Sequence, residues 1–350
     1  RCDNCRQSVF PEPTEFGEKG CKFTNRLSDA LADGTFQFSY KKVCQHYGVP
    51  ASTASVSEIM RRRIQYRESL LPPVRTPHII SVVEVVFFGE RYPAVLGVWD
   101  GEVYCLDILR DSSEETCGAF LKTLNANQVE TIYVDPVDSL FNAVNQYFPM
   151  ASIVVTDEAI RRYARNAMLD IIHSDGKRFP VVHKDRRLTV LHRDLDDRTV
   201  IPRIKEGMKS RPRLQQAYTH HQRLLELMET KWSMEDLRTR ADQIPAEVDE
   251  FWAVGDIIDI FGEQLSGFLI LGEKPPKNYQ FAVQGICDAI KDMPHCIFDV
   301  MRGRCIFSIT HDTMEENGEL WRYGIKSSRL IEKINEISAN IREERDYGYQ

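Results

Sequence analysis

Residues 78–172 change hydrophobic period several times in a fixed order, and that order restricts the fold more than any other feature. The run HIISVVEVVFF at 78–88 is β-branched and apolar, as a buried strand requires. Gly89, Glu90 and Arg91 turn the chain into a second strand at 92–99. Asp100-Gly101 is a two-residue hairpin signal that leads into a third strand at 102–109. A helix follows from Ser113, a suitable N-cap, to Leu124. Residues 131–134 read as a fourth strand, 137–148 as a helix, 152–155 as a fifth strand and 157–172 as a long helix. Few folds place a three-strand antiparallel meander ahead of two strand–helix steps.

That succession is the element order of the RNase H-like fold. The expected class is therefore α/β, a mixed five-stranded sheet with a large helical insertion. The first part of the core spans 78–174. Residues 175–285 lack strand signals apart from 188–191 and read as the insertion, with 213–231 and 245–271 its longest helical stretches. Residues 286–310 return to the core as its terminal helix, and 311–350 read as a C-terminal helical tail. Within the tail, Leu330, Ile331, Ile334, Ile337 and Ile341 share one side, a stripe suited to core packing or a partner helix. No apolar run approaches the roughly 18 residues that a membrane helix needs, and the first residues show no signal-peptide pattern. A cytoplasmic chain without a membrane partner is expected, its scattered cysteines reduced.

Ahead of the strands, three prolines fall within Leu71-Pro72-Pro73-Val74-Arg75-Thr76-Pro77, so 71–77 reads as a stiff linker. Residues 26–70 read as a helix-turn-helix domain. Ser39 caps a helix that ends at Gly48, Gly48-Val49-Pro50 turns, and Ser52-Thr53 opens a second helix. That second helix would turn Ser52, Thr53, Ser55 and Ser57 towards a major groove, with Arg61, Arg62 and Arg63 near phosphates. A solvated helical hairpin is the plain alternative. Residues 1–25 hold a C-x-x-C pair, Cys2 and Cys5, which suits half of a structural zinc site. The other thiolates would come from ahead of Arg1, with Cys21 a poorly spaced candidate, and a simple surface turn explains the pair equally well.

The charge is uneven. Residues 1–77 hold 12 Lys and Arg against 8 Asp and Glu, whereas the whole chain is at −7. A basic N-terminal piece on an acidic body fits local contact with double-stranded DNA. In the insertion, Lys205, Lys209, Arg211 and Arg213 form a loose basic cluster that suits a DNA backbone or a solvated face.

An RNase H-like nuclease holds two divalent metals with carboxylates from the first strand, the end of the fourth strand and a later helix. Crowding those acids is unfavourable without a dication, and the metals then activate water or a 3′ hydroxyl. Asp135 ends the fourth strand, where Pro136 turns the chain; an exposed turn aspartate is the alternative. Asp157 follows the fifth strand, where an N-cap role explains it equally well. The first strand offers only Glu84, and adjacent strand residues face opposite ways, so Glu84 and Val83 cannot share a face.

From Cys2 to about Phe307 the chain resembles the insertion-sequence transposases of the ISL3 type. Those proteins have a zinc ribbon, a helix-turn-helix and a DDE core interrupted by a helical insertion. Cys2 and Cys5 are similar to the second half of the ribbon, and Ser39 to Thr53 resembles the helix-turn-helix. Ser81-Val82-Val83-Glu84 lies where the family has a Gly-Ile-Asp-Glu-like motif. Asp135 falls on the second acid, Thr156-Asp157 on the Asp-Arg-Phe-His segment, and Asp299 at about the place of the terminal Glu. The resemblance implies DNA as partner, structural zinc, catalytic Mg²⁺ or Mn²⁺, a homo-oligomer or further protein subunits, and a bacterial or phage-encoded, nucleoid-associated setting. Three departures stand out: Val83 replaces the first Asp, Asp299 replaces Glu, and Glu158-Ala159-Ile160 replaces Arg-Phe-His. A site left with Asp135 and Asp299 would hold Mg²⁺ weakly. The expectation is DNA binding with weak or no strand transfer, unless a bulge turns Glu84 into the site. An active metal-dependent transposase and a partner-recruiting helical protein are the alternatives.

Overall fold

A computed structural model of the chain describes residues 23–49, 53–176, 208–209, 211–229, 233–244, 248–265, 275 and 278–347. They divide between two units, Arg1–Val129 with Asn278–Gln350, and Glu130–Lys277. The Cys2–Cys5 pair, Ser52 and the short strand expected at 188–191 lie outside the described residues.

In the first unit, short polar side chains set the helix starts. Thr24 accepts from the Leu27 amide at the head of α1 (Asn25–Gln37), and Ser39 from the Lys42 amide at the head of α2 (Tyr40–Tyr47). Gly48 closes α2 at φ 64°, and the Val49 amide reaches back to the Cys44 carbonyl. The third helix, α3 (Thr53–Leu70), completes the group. Leu31, Val43 and Cys44 form a small buried core, with Leu27, Phe38 and Ile59 packed against it.

Strands β1 (Ile79–Phe87), β2 (Glu90–Trp99) and β3 (Glu102–Ile108) form the expected antiparallel meander. β1 is buried almost along its whole length because both of its faces are apolar. Its register sets Val83 opposite Ala94 and Glu84 opposite Pro93. Between β2 and β3, Val95 pairs with Asp107 and Leu96 with Cys105, so Leu106 is bulged out. Helix α4 (Glu114–Leu121) follows, capped by Ser113.

The C-terminal tail is not wholly helical. Residues 312–326 form a hairpin of β6 (Asp312–Glu316) and β7 (Glu319–Lys326), turned by Asn317 and Gly318 at φ 55° and 82°. Positive φ at both turn positions is the condition for a two-residue hairpin, and Asn-Gly meets it without strain. β7 pairs with β3, so the strands of this unit run β1-β2-β3-β7-β6. The proline segment 71–77, read from sequence as a linker, is tied to β7. Val74 bridges Arg322, the Arg322 amide donates to the Pro73 carbonyl, and its Nε donates to the Pro72 carbonyl. Proline serves there because only its acceptor is used.

Three helices complete this unit. These are α10 (Tyr279–Lys291), α11 (Phe298–Arg302), which runs into a π-helical turn at Gly303–Phe307, and α12 (Ser327–Tyr347). Helix α10 packs on β1 and on α12, and Tyr279 hydrogen-bonds Ser81. The stripe Leu330, Ile334, Ile337 and Ile341 is buried, so the tail helix belongs to the core.

The second unit holds the parallel pair β4 (Thr131–Val134) and β5 (Ser152–Val154), joined by α5 (Asp138–Tyr147). Helix α6 (Asp157–Gly176) then packs on α7 (Pro212–Glu229) and on α9 (Trp252–Ile260), while α8 (Met234–Ala241) packs on α9. Ile160, Ala164, Ile171, Leu214, Leu224 and Phe251 are fully buried among these helices.

Two predictions follow from this packing. A Cβ added at Gly303 would overlap the Phe36 ring, whereas alanine in a helix is otherwise favoured by about 1 kcal/mol. The clash dominates, so Gly303→Ala is expected to destabilise by about 1–3 kcal/mol in urea unfolding. Phe36→Leu should recover part of that loss when the two changes are combined. The second concerns His311, whose Nδ1 faces Arg322 and whose Nε2 meets the Ile306 carbonyl. Arg322 has only donors, so Nδ1 accepts and Nε2 carries the proton. Burial, then the Arg322 charge, lowers the His311 pKa to about 4. The unfolded value is higher, near 6.5, so the unfolded chain binds the extra proton. Stability is fully present above that value and falls as pH drops from about 6.5 through 4. His311→Gln should flatten this pH dependence, and an unaltered slope would locate the effect elsewhere.

Candidate active site and nucleic-acid surface

In the second unit, Asp135 follows β4 where the sequence places it, but it does not face solvent. It is 2% exposed and forms an ion pair with Arg162 on α6. Asp157 is the first residue of α6 and not its cap. Thr156 caps the helix, accepting from the Ala159 amide at 3.3 Å. Asp157 Oδ2 lies 3.5 Å from Arg161 Nε, and its Oδ1 is buried with no hydrogen-bond partner among the described residues. Burial raises the pKa of the neighbouring Glu158, against the opposing charges of Arg165 and Arg162. Three acids and three arginines thus share the β4 end and the first turns of α6.

The first unit repeats the pattern. Val83 is buried in β1, and Glu84 on the opposite face is 8% exposed. Glu84 accepts from Arg91 at 2.9 Å and from Ser112 at 3.2 Å. No bulge interrupts the β1–β2 register at Glu84, so Val83 and Glu84 keep their opposite directions. Asp107 on β3, which the sequence reading passed over, is 7% exposed and held on both oxygens by Arg302, at 2.9 and 2.6 Å. Arg302 also pairs with Glu68. Burial opposes its charge, and Asp107 and Glu68 more than offset this, raising its pKa. Asp299 sits on α11, which packs against α3, and is paired with Arg110. The helix that packs on β1 is α10, whose single acid, Asp288, is exposed.

This donor set does not fit a two-metal centre. Each expected acid has an arginine as its charge partner, and a dication would have to displace a guanidinium that folding has fixed there. Among the described residues, no three His, Cys, Asp or Glu side chains gather as a metal-holding group.

The proposed DNA-contacting side chains fall into different settings. Arg61 and Arg62 are about half exposed on α3 and share Glu58, whose pKa they pull down to about 2 through their hydrogen bonds. Pairs of this exposed kind contribute little to stability, so both guanidiniums can exchange partners easily. Ser55 is half-buried nearby. Arg63 is different: it donates to Asp33 at 2.9 and 2.7 Å and locks α3 to α1, leaving the phosphate role expected of it without an exposed head. In the second unit Lys209 is exposed, but Arg211 is 7% exposed and therefore not a surface contact. Arg213 is tied to Asp249 and Glu250.

The three-strand meander, the two strand–helix steps and the helical insertion together define a mixed α/β transposase core of the RNase H-like kind. A family model described as Transposase, of the ISL3-type DDE class, matches residues 88–258. That stretch of the chain is similar to the ISL3-type transposases. The match includes Asp135 and Asp157 and begins beyond Val83 and Glu84. A search of curated proteins found no match.

The arginine that meets Asp135 was legible only in part. Arg161 and Arg162 stand one turn into the helix after Asp157, but which of them turns back to β4 depends on the docking of α6. Replacing Arg162 with Met leaves a buried carboxylate without its cation. Arg162→Met is therefore expected to lower stability by about 3–5 kcal/mol, and Asp135→Leu combined with it should recover most of that loss. Chemical unfolding of the four chains in a double-mutant cycle checks this; additive losses would show that the pair is not coupled.

Proposed function

We propose that the chain is a transposase-family DNA-binding protein that binds duplex DNA with weak or no strand transfer. The observation that carries this reading is the Asp135–Arg162 pair. The acid that ends β4 is sealed from solvent by a guanidinium, in a chain whose first strand has Val83 where the resemblance requires Asp. Phosphoryl transfer rests on positioning and charge neutralisation by metal ions. An arginine can neutralise Asp135, but it opens no coordination position for a water or a 3′ hydroxyl. Mg²⁺ or Mn²⁺ would be the ion in an active relative.

DNA contact is proposed for the N-terminal helices. In this reading Ser52, Thr53 and Ser55 would meet the bases, and Arg61 and Arg62 the phosphates. A structural zinc ion held in part by Cys2 and Cys5 belongs to the same reading. So do a cytoplasmic location and assembly with a second copy or another subunit. None of the described helices is long and apolar enough to cross a membrane.

The test has two arms. Supercoiled plasmid with Mg²⁺ or Mn²⁺ should show no nicking beyond that of Asp135→Asn; metal-dependent cleavage abolished by that substitution would overturn the loss of catalysis. Duplex binding should weaken steeply between 50 and 200 mM salt. Arg61→Ala with Arg62→Ala should lower the slope of log affinity against log salt by about 1–2. Salt-independent binding, or a slope the double change leaves alone, would remove the DNA reading of α3.

A further inference from the structure

Helix α7 carries a polar stripe that the transposase reading does not use. Gln215, Gln216, Thr219, His220 and Arg223 recur at the three-to-four-residue spacing that puts side chains on one helical face. That face and α8 enclose a cleft of about 360 Å³, completed by Pro212, Arg240 and Gln243. The volume lies within the roughly 300–1,000 Å³ usual for small-ligand sites. None of the residues lining it is acidic.

The donors in this cleft are poorly used by the protein itself. Arg240 donates through Nη1 to Gln243 at 2.9 Å, while its Nε is buried with no acceptor among the described residues. Gln216 Oε1 is buried with no donor there, and turning the amide end for end would point two N–H groups the same way. Arg223 stands at the exposed rim without an ion pair or hydrogen bond among the described residues. His220 is 5% exposed and is held edge-on against Phe251, 5.2 Å between ring centres. Buried polar groups left without partners are uncommon in folded proteins, and a ligand bound in the cleft would give these partners.

We infer that this cleft binds a phosphate group, with Arg223 and Arg240 as the charged donors and His220 and Gln216 as neutral ones. Two guanidiniums converging on a site with no carboxylate match the geometry and charge of a phosphate oxyanion. If the protein binds DNA as proposed above, the natural source is one backbone phosphate; otherwise it is a free phosphate or nucleotide. Burial, followed by the charges of Arg240 and Arg223, lowers the His220 pKa to about 4. His221 beside it is likewise lowered, to about 3, by burial and by Arg165, His220 and Arg161. A phosphate between the two arginines would cancel part of this field and move the His220 titration upward.

The experiment separates the two sources. Inorganic phosphate added to the full chain should shift the ring resonance of His220, assigned with His220→Gln, and chloride at equal ionic strength should not. The shift should vanish in Arg223→Gln combined with Arg240→Gln, with the unfolding midpoint checked to show that the variant still folds. In duplex binding, the same double variant should lower the salt slope by about one, the loss of a single phosphate contact. A phosphate response with unchanged DNA binding assigns the cleft to a free phosphate. Should the wild-type chain bind no duplex, the DNA reading fails, and the phosphate titration still decides the cleft. No phosphate response, or one the double variant retains, overturns the inference.

Discussion

A carboxylate taken out of water needs a cation within reach, and in this chain the cation is repeatedly an arginine from an adjoining helix. Arg162 supplies it to Asp135 and Arg302 to Asp107, and each carboxylate is less than one-tenth exposed. Breaking such a pair is costly because the partner left behind stays buried and charged. The pairs therefore fix geometry: one holds α6 against the end of β4, the other holds α11 against β3, and through Glu68 α11 is also tied to α3.

That same constraint shapes what the site can do. A divalent cation in a nuclease core is removable, has several ligand positions, and can hold water and substrate oxygens at once. A guanidinium is attached to the fold, spends its donors on the carboxylate and accepts no ligand. In the proposed reading, an arginine in place of the metal keeps the electrostatic balance of the scaffold without supplying a reaction centre. The recognition proposed above rests on separate surfaces, α3 in the first unit and the α7–α8 cleft in the second. The family match over 88–258 covers Asp135 and much of the helical insertion.

Much of the architecture could be read directly because its signals are local. β-branched runs, the Asp100-Gly101 turn, Ser39 and Ser113 as caps and Gly48 as a stop each act within a few residues, and all are found in the structure. The β6–β7 hairpin was equally local. Asn317-Gly318 lies between alternating residues, but the acidic run around it hides the strand pattern, because an edge strand with solvent on both sides needs few apolar residues. The proline segment 71–77 has the composition of a spacer. Its pairing with Arg322 could not be read, because that partner is nearly 250 residues away and is brought there by β7 pairing with β3.

The candidate site divides along the same line. Sequence alone determined which acids stand at strand ends, that β1 offers a valine beside a glutamate on opposite faces, and that α3 carries arginines in series. These follow from backbone periodicity, which any short stretch enforces on itself. Tertiary structure decided the rest: which arginine reaches which acid, that Arg63 belongs to Asp33 while Arg61 and Arg62 stay on the surface, that Arg211 is buried, and that α7 and α8 converge two guanidiniums without an acid. Charge partners are chosen by helix docking. Docking is set by apolar faces such as Leu214, Phe251 and Ile160, whose contacts carry no record in the sequence of which charged side chains they bring together.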